Sequence, residues 1–327
     1  MAEVAPDLPL APARAAVRPV HGFWLAAWLV LAAVLLVAVT APRWLERMPH
    51  VPERLPPAVQ DWLRHLQRDP DWAAMPRGPL LDAVKRNGEL VVVVRQYARP
   101  SPPNRPTPPE PDAFDVSLGR YIADRLQVRL RVVATSMATS VASPVAPGGG
   151  LPGVDMGVAG ALEAGAPTVQ TAYTGGAGAL LVLQGSAYRH PNDLNRREVC
   201  VGQGSPYAHT LTHSVGAISR VYPSSIRAIA AFMAGECQAL AEDQLVVSRL
   251  LGLPEWRFYR KLDAQVAPDN DRAQLAIRLD DPQSAAWIDR AVRHWKLDGA
   301  FAAARERRAG DIAYEASQLG DGLVCHS

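Results

Sequence analysis

Apolar and polar positions along this chain fall into short runs of two different periods. Leu80 to Gly88 reads as a helix ending at a glycine, and Glu89-Leu90-Val91-Val92-Val93-Val94 follows as a buried strand. Phe114, Leu118, Tyr121, Ile122 and Leu126 lie on one side of a predicted helix over 114–126, and 127–134 is the next strand. A strand over 179–183 and a segment over 188–194 come later, then a strand over 198–202 that runs into Gly202-Gln203-Gly204-Ser205. Ser205 is placed as the N-cap of a helix with Pro206 at its first position, where the missing N–H costs nothing. Ile226, Ile229, Ala230 and Met233 form one face of a further helix that stops at Gly235. The strand 238–241 then delivers Glu242 and Asp243 to its C-terminal end.

Other stretches interrupt this pattern. Residues 1–22 are rich in Ala and Pro with neither period, and read as a disordered tail. Phe23 to Ala41 carries no charge and is long enough to cross a bilayer core of about 30 Å, with Trp24, Trp28 and Trp44 suited to the interfaces. A cleaved signal peptide is the rival reading. Its small-residue site at Val39-Thr40-Ala41 is followed by Pro42, which argues for an uncleaved anchor. Residues 42–79 read as a stalk, with Val59, Trp62, Leu63 and Leu66 striped along a short helix. Seven prolines between Pro100 and Pro111 exclude helix or central strand there and predict extended chain. The Ser, Ala, Pro and Gly of 135–153 predict a flexible loop.

Composition adds a few bounds. At 327 residues, with 48% apolar and 20% charged positions, the chain can bury one large core or two medium ones. A net charge of +2 and no basic stripe argue against a nucleic-acid partner. Cys200, Cys237 and Cys325 match no zinc or redox spacing. If the strands before Ser205 and Asp243 are parallel neighbours, Cys200 and Cys237 come together; a disulfide and two buried thiols are both open. A bridge would imply an oxidising compartment.

The same adjacency sets the candidate chemistry. Ser205 and Asp243 would share one rim of a sheet, where open α/β sheets bind ligands. A helix start offers N–H donors to an anion, and an aspartate beside it receives a cation; together they grip a zwitterion. His209 and His213 are four apart on a predicted helix, but no third ligand accompanies them, so no metal is expected. No Walker A lysine follows Gly204, and no Gly-x-Ser-x-Gly elbow occurs.

At these residues a family resemblance enters. Val199-Cys200-Val201-Gly202-Gln203-Gly204-Ser205, followed by Gly235-Glu236-Cys237-Gln238-Ala239 leading to Asp243, resembles the second lobe of periplasmic polar amino-acid-binding proteins, the solute receptors of ABC transporters. Leu80 to Val94, Asp112 to Ala123 and Leu275 to Ala302 are similar to that family's opening, first-lobe helix and return, in the same order.

The resemblance implies an α/β fold of two Rossmann-like lobes, a type II periplasmic binding protein-like body, to which the uncharged run Phe23 to Ala41 adds an N-terminal transmembrane helix. It implies a small polar ligand, amino-acid-like or carboxylate, held by Tyr97, Gly204, Ser205 and Asp243 without cofactor or catalysis. The expected organisation is a cytoplasmic tail 1–22, anchor 23–41, stalk 42–79, first lobe 80–187 with 274–310, second lobe 188–273 and tail 311–327. Arginines flank the anchor on both sides, so the likeness and the cysteine pair are what place the body in the periplasm on the inner membrane. An ABC permease or other inner-membrane protein is the expected partner.

Two departures stand out. The family's Thr-x-x-Arg, whose guanidinium forks onto the ligand carboxylate, is replaced by Ala161-Leu162-Glu163-Ala164-Gly165-Ala166, leaving Arg95 or Arg99 as the nearest substitutes. A closing helix gives way to the loop 135–153. These losses keep open a second reading, a degenerate cleft serving as a partner surface. A third is a cleft dehydratase using Glu163 or Glu242.

Overall fold

A computed structural model describes residues 69–135 except 103, then 153–158, 166–270, 273–320 and 324–325, together with Trp28. The expected anchor (apart from Trp28), the stripe at 59–66, the loop 136–152 and Glu163 lie outside the described residues. Among the described residues no helix is long and apolar enough to cross a membrane.

Helix α1 (Gly78–Asn87) ends on Gly88, whose φ of 69° is the left-handed turn that glycine adopts most easily. Its buried Leu80, Leu81 and Val84 face the first core. Strand β1 (Glu89–Tyr97) follows, buried over Leu90–Arg95. The proline-rich stretch is extended at the edge, with only the two-residue strands β2 (Pro100–Ser101) and β3 (Glu110–Pro111). Asp112 then caps α2 (Ala113–Leu126), accepting from the Phe114 and Asp115 amides. Strands β4 (Arg129–Thr135), β5 (Met156–Gly157) and β6 (Thr168–Ala172) complete the run.

The second lobe contributes β7 (Gly178–Leu183), β8 (Glu198–Gly202), β9 (Ile218–Tyr222), α3 (Ser225–Met233), β10 (Ala239–Asp243), α4 (Gln244–Leu250) and β11 (Tyr259–Val266). The chain returns through β12 (Gln274–Ile277), α5 (Pro282–Leu297) and α6 (Ala300–Leu319), with β13 (Val324–Cys325) pairing antiparallel to β2.

Two large sheets, each packed against its own core, result beside the two-stranded β13-β2 pair. In the first, β1 runs parallel to β4 and β5, and β12 joins antiparallel between β5 and β6. In the second the order is β11-β7-β10-β8-β9, with β8 parallel to both β10 and β9. Strand β7 belongs to this second sheet, antiparallel to β10, although its residues were expected within the first lobe. The reason is its burial: Ala179 to Val182 are all fully covered, as a central strand between β11 and β10 requires.

Two segments expected as appendages are packed. Trp72, in the expected stalk, sets its ring 5.2 Å from Trp287 and 5.5 Å from His294 on α5. Residues 311–319, expected as tail, continue α6. That helix starts with Phe301 and Ala304 in the first core and ends with Ala309, Ile312, Ala313 and Ala316 in the second. Both lobes lie in one compact unit, and α6 joins their cores.

Candidate functional site

The β8 and β10 strands run parallel with Ala239 opposite Val199, so their C-terminal ends open on the same rim. Gly204, Ser205 and Asp243 line one cavity there, with Glu242, Tyr207, Arg305 and Arg308. Tyr97 lines a second cavity beside it, and Gln203, Ser225 and Arg308 border both. Tyr97 packs against the second core, and burial together with Asp112 and Glu315 pushes its phenol well above the usual range.

The turn after β8 differs from its expected form. Ser205 is not a helix cap and Pro206 does not open a helix: the next helical turns are only Ala208–Thr210 and a π turn over Leu211–Val215. Gly204, at φ 72°, reverses the chain instead. The Ser205 amide donates to the Gly202 carbonyl at 3.0 Å, and its hydroxyl accepts from the Tyr207 amide at 3.3 Å. The Gln203 amide donates to the Tyr222 carbonyl at 2.7 Å. These amides are committed to the fold rather than held out towards the cavity.

The cation side is occupied as well. Asp243 caps α4 through the Leu245 amide and receives a two-nitrogen fork from Arg305 on α6: Nε to Oδ2 at 2.9 Å and Nη2 to Oδ1 at 2.8 Å. A Cβ on Gly176 would collide with that guanidinium, so the glycine lets the backbone approach it. One turn further along α6, Arg308 donates to Ser225 Oγ at 3.2 Å and lies 5.8 Å from the Phe114 ring. Burial works against its charge, and the attraction of Asp112 and Glu242 outweighs this, raising its pKa.

Both substitute arginines are paired with carboxylates, and Arg95 lines the second cavity. Arg95 is buried and forks onto Asp115 at 2.7 and 2.8 Å, its remaining nitrogen against Gly204. Arg99 pairs with Glu110 and Glu315, each at 2.7 Å. Glu242 is buried and accepts from the Asp243 amide at 3.0 Å. His209 and His213 stack at 3.8 Å, and His209 Nδ1 meets Asp269 at 2.9 Å. Among the described residues no group of three or more His, Cys, Asp or Glu is placed to hold a metal.

The two cavities measure about 30 and 20 Å³, room for roughly two waters and one. Arg305 and Arg308 both line the first, and Arg308 lines the second as well. The sequence reading missed both arginines. The available signal was the spacing of Phe301, Ala304, Ala309, Ile312, Ala313 and Ala316, which marks one side of the helix as inward and places Arg305 and Arg308 on that side.

Cys200 on β8 and Cys237 are joined by a disulfide, with Cα atoms 5.7 Å apart. Cys237 sits just before β10 rather than within it.

No protein-family model matches the chain, and no curated protein matches it. Solved structures do. An amino acid ABC transporter substrate-binding protein from Streptococcus pneumoniae, bound to L-arginine, is 16% identical, with a TM-score of 0.50 over 71% of this chain and 98% of that one. A Salmonella typhimurium periplasmic binding protein described by its high arginine specificity is 16% identical over 67% of this chain and 98% of its own, at 0.46. The two-lobed α/β body is therefore the fold of amino-acid substrate-binding proteins.

Proposed function

We propose that this protein is a periplasmic solute-binding protein of the inner membrane, addressed to a small polar ligand and serving an ABC transporter or a sensor. The observation that carries the reading is the convergence of Gly204, Ser205 and Asp243 on one interlobe cavity in a substrate-binding fold. The structural neighbours named above bind arginine or are specific for it, which makes a basic or amino-acid-like solute the first class to try. The role is binding rather than catalysis: Glu242 is engaged with its own backbone and faces Arg308, so it is poorly placed as an acid or base. The uncharged run Phe23 to Ala41 supports an uncleaved anchor, with the disulfide supporting an oxidising side.

One observation favours the second reading, a partner surface without a solute: Arg305 already holds Asp243. Calorimetry and thermal shift of the full chain in mild detergent against amino acids and small carboxylates separate the two. A saturable shift supports the receptor, and no shift with any solute gives the lead to the partner surface. An N-terminus starting near residue 42 on the mature protein, together with release from membranes, would remove the anchor.

A further inference from the structure

Two-lobed receptors open and close around their ligands by hinge motion. Three features of this chain act against that motion at one place. Helix α6 is anchored at its start in the first core by Phe301 and Ala304, and at its end in the second by Ala309, Ile312, Ala313 and Ala316. Arg305, between those anchors, forks onto Asp243 with three contacts of 2.8–2.9 Å. Arg308 reaches Ser225 at the start of α3 and answers the charges of Asp112 in one lobe and Glu242 in the other.

The place Arg305 occupies is shaped for a guanidinium. Asp243 presents both carboxylate oxygens, the bare face of Gly176 admits the planar group, and the Phe301 ring lies 5.5 Å from its carbon. A single ammonium would use one carboxylate oxygen well and leave the Gly176 face unfilled. Because the occupant is tethered, its effective concentration is on the order of millimolar or higher, and a weaker free ligand is excluded.

We infer that α6 is a resident ligand mimic: Arg305 occupies a guanidinium site at Asp243 and Gly176, and this site accepts a free guanidinium-bearing solute only when Arg305 is withdrawn. The inference rests on the cleft being the ligand site of the fold. It adds the class of ligand and the device that controls access to it. It also gives the proline-rich edge a place in the device. Arg99, from that edge, holds Glu315 near the end of α6 at 2.7 Å, so the segment braces the helix that plugs the cleft.

The test is chemical rescue on the full chain in mild detergent. Arg305→Ala is expected to lower the melting temperature by about 4–8 °C, since it leaves Asp243 without its partner in a half-buried place. Methylguanidinium at about 10 mM should return at least half of that loss, with sodium chloride at equal ionic strength returning none. Wild type should not respond, and neither should Asp243→Asn combined with Arg305→Ala. Rescue that persists in the double variant, or no rescue of Arg305→Ala, overturns the inference.

If Arg305→Ala does not fold, refolding it and Arg305→Gln from urea with and without the probe reads the same site. Recovery only with methylguanidinium supports the site, and no recovery overturns it. Solute binding by wild type bears on the receptor reading and rescue in the variants bears on the mimic, so either one fails without the other.

Discussion

Arg305 meets Asp243 across 62 residues of sequence and joins the helix that begins in the first core to the strand that ends in the second sheet. Their side chains are 19% and 17% exposed, so the pair is neither a surface bridge nor fully desolvated. A forked pair of this kind contributes more than an exposed one, on the order of 1–3 kcal/mol after allowance for the water that reaches it. A double-mutant cycle of Arg305→Ala and Asp243→Ala, measured by urea unfolding, should return a coupling in that range. Additive single effects would mean that the fork contributes nothing to the closed body.

The Cys200–Cys237 bridge closes a sequence separation of 37 residues, for which the chain-entropy model gives roughly 3–4 kcal/mol. Cys237→Ser should lower stability by about that amount, and reduction of wild type should match it. With three cysteines in the chain, thiol titration of the denatured, unreduced protein should find one free thiol. Three would mean that the bridge does not form.

Glu315 supplies a pH dependence. It is buried on α6 beside Arg99, and burial, reinforced by Asp311, Glu110 and Asp112, raises its pKa from 4.5 to about 7 despite the arginine. The folded state then keeps a proton that the unfolded state releases, so the stabilisation is complete below about 4.5 and is lost as pH rises towards 7. The loss is at most about 3 kcal/mol. Glu315→Gln, which cannot ionise, should gain stability relative to wild type steadily between those values. A difference that does not vary with pH would show that Glu315 titrates as an ordinary carboxylate.

The fold was largely legible because its elements carry local signals. Gly88 ends α1, Asp112 caps α2, and Gly235 follows α3; each is a residue type with one preferred role at that position. The strands before Ser205 and Asp243 were recognisable as buried runs, and their adjacency brings Cys200 to Cys237. The cleft was less legible, for a physical reason. Whether an amide such as that of Ser205 is free for a ligand depends on which carbonyl it meets, here Gly202, and no propensity encodes that. The partner of Asp243 was hidden in the same way. Arg305 and Arg308 lie in Ala300-Phe301-Ala302-Ala303-Ala304-Arg305-Glu306-Arg307-Arg308, where four charged residues in a row read as a solvated face. Only the apolar periodicity continuing to Ala316 shows that two of them point inward.

That continuation makes the end of α6 testable by truncation. Residues 311–319 hold Ile312, Ala313 and Ala316, all covered in the second core, and Glu315, which Arg99 grips. Loss of a buried isoleucine alone costs about 2–5 kcal/mol through lost transfer and the cavity left behind, and the alanines and the ion pair add to it. A chain ended after Gly310 should therefore unfold at much lower urea, or fail to accumulate, although it retains every strand of both sheets. A chain ended after Gly320 removes only β13 and its neighbours and should lose far less, because β13 contributes two paired residues on β2. Equal stability of the two truncations would mean that α6 ends functionally at Arg308 and that its last turns only rest on the second lobe.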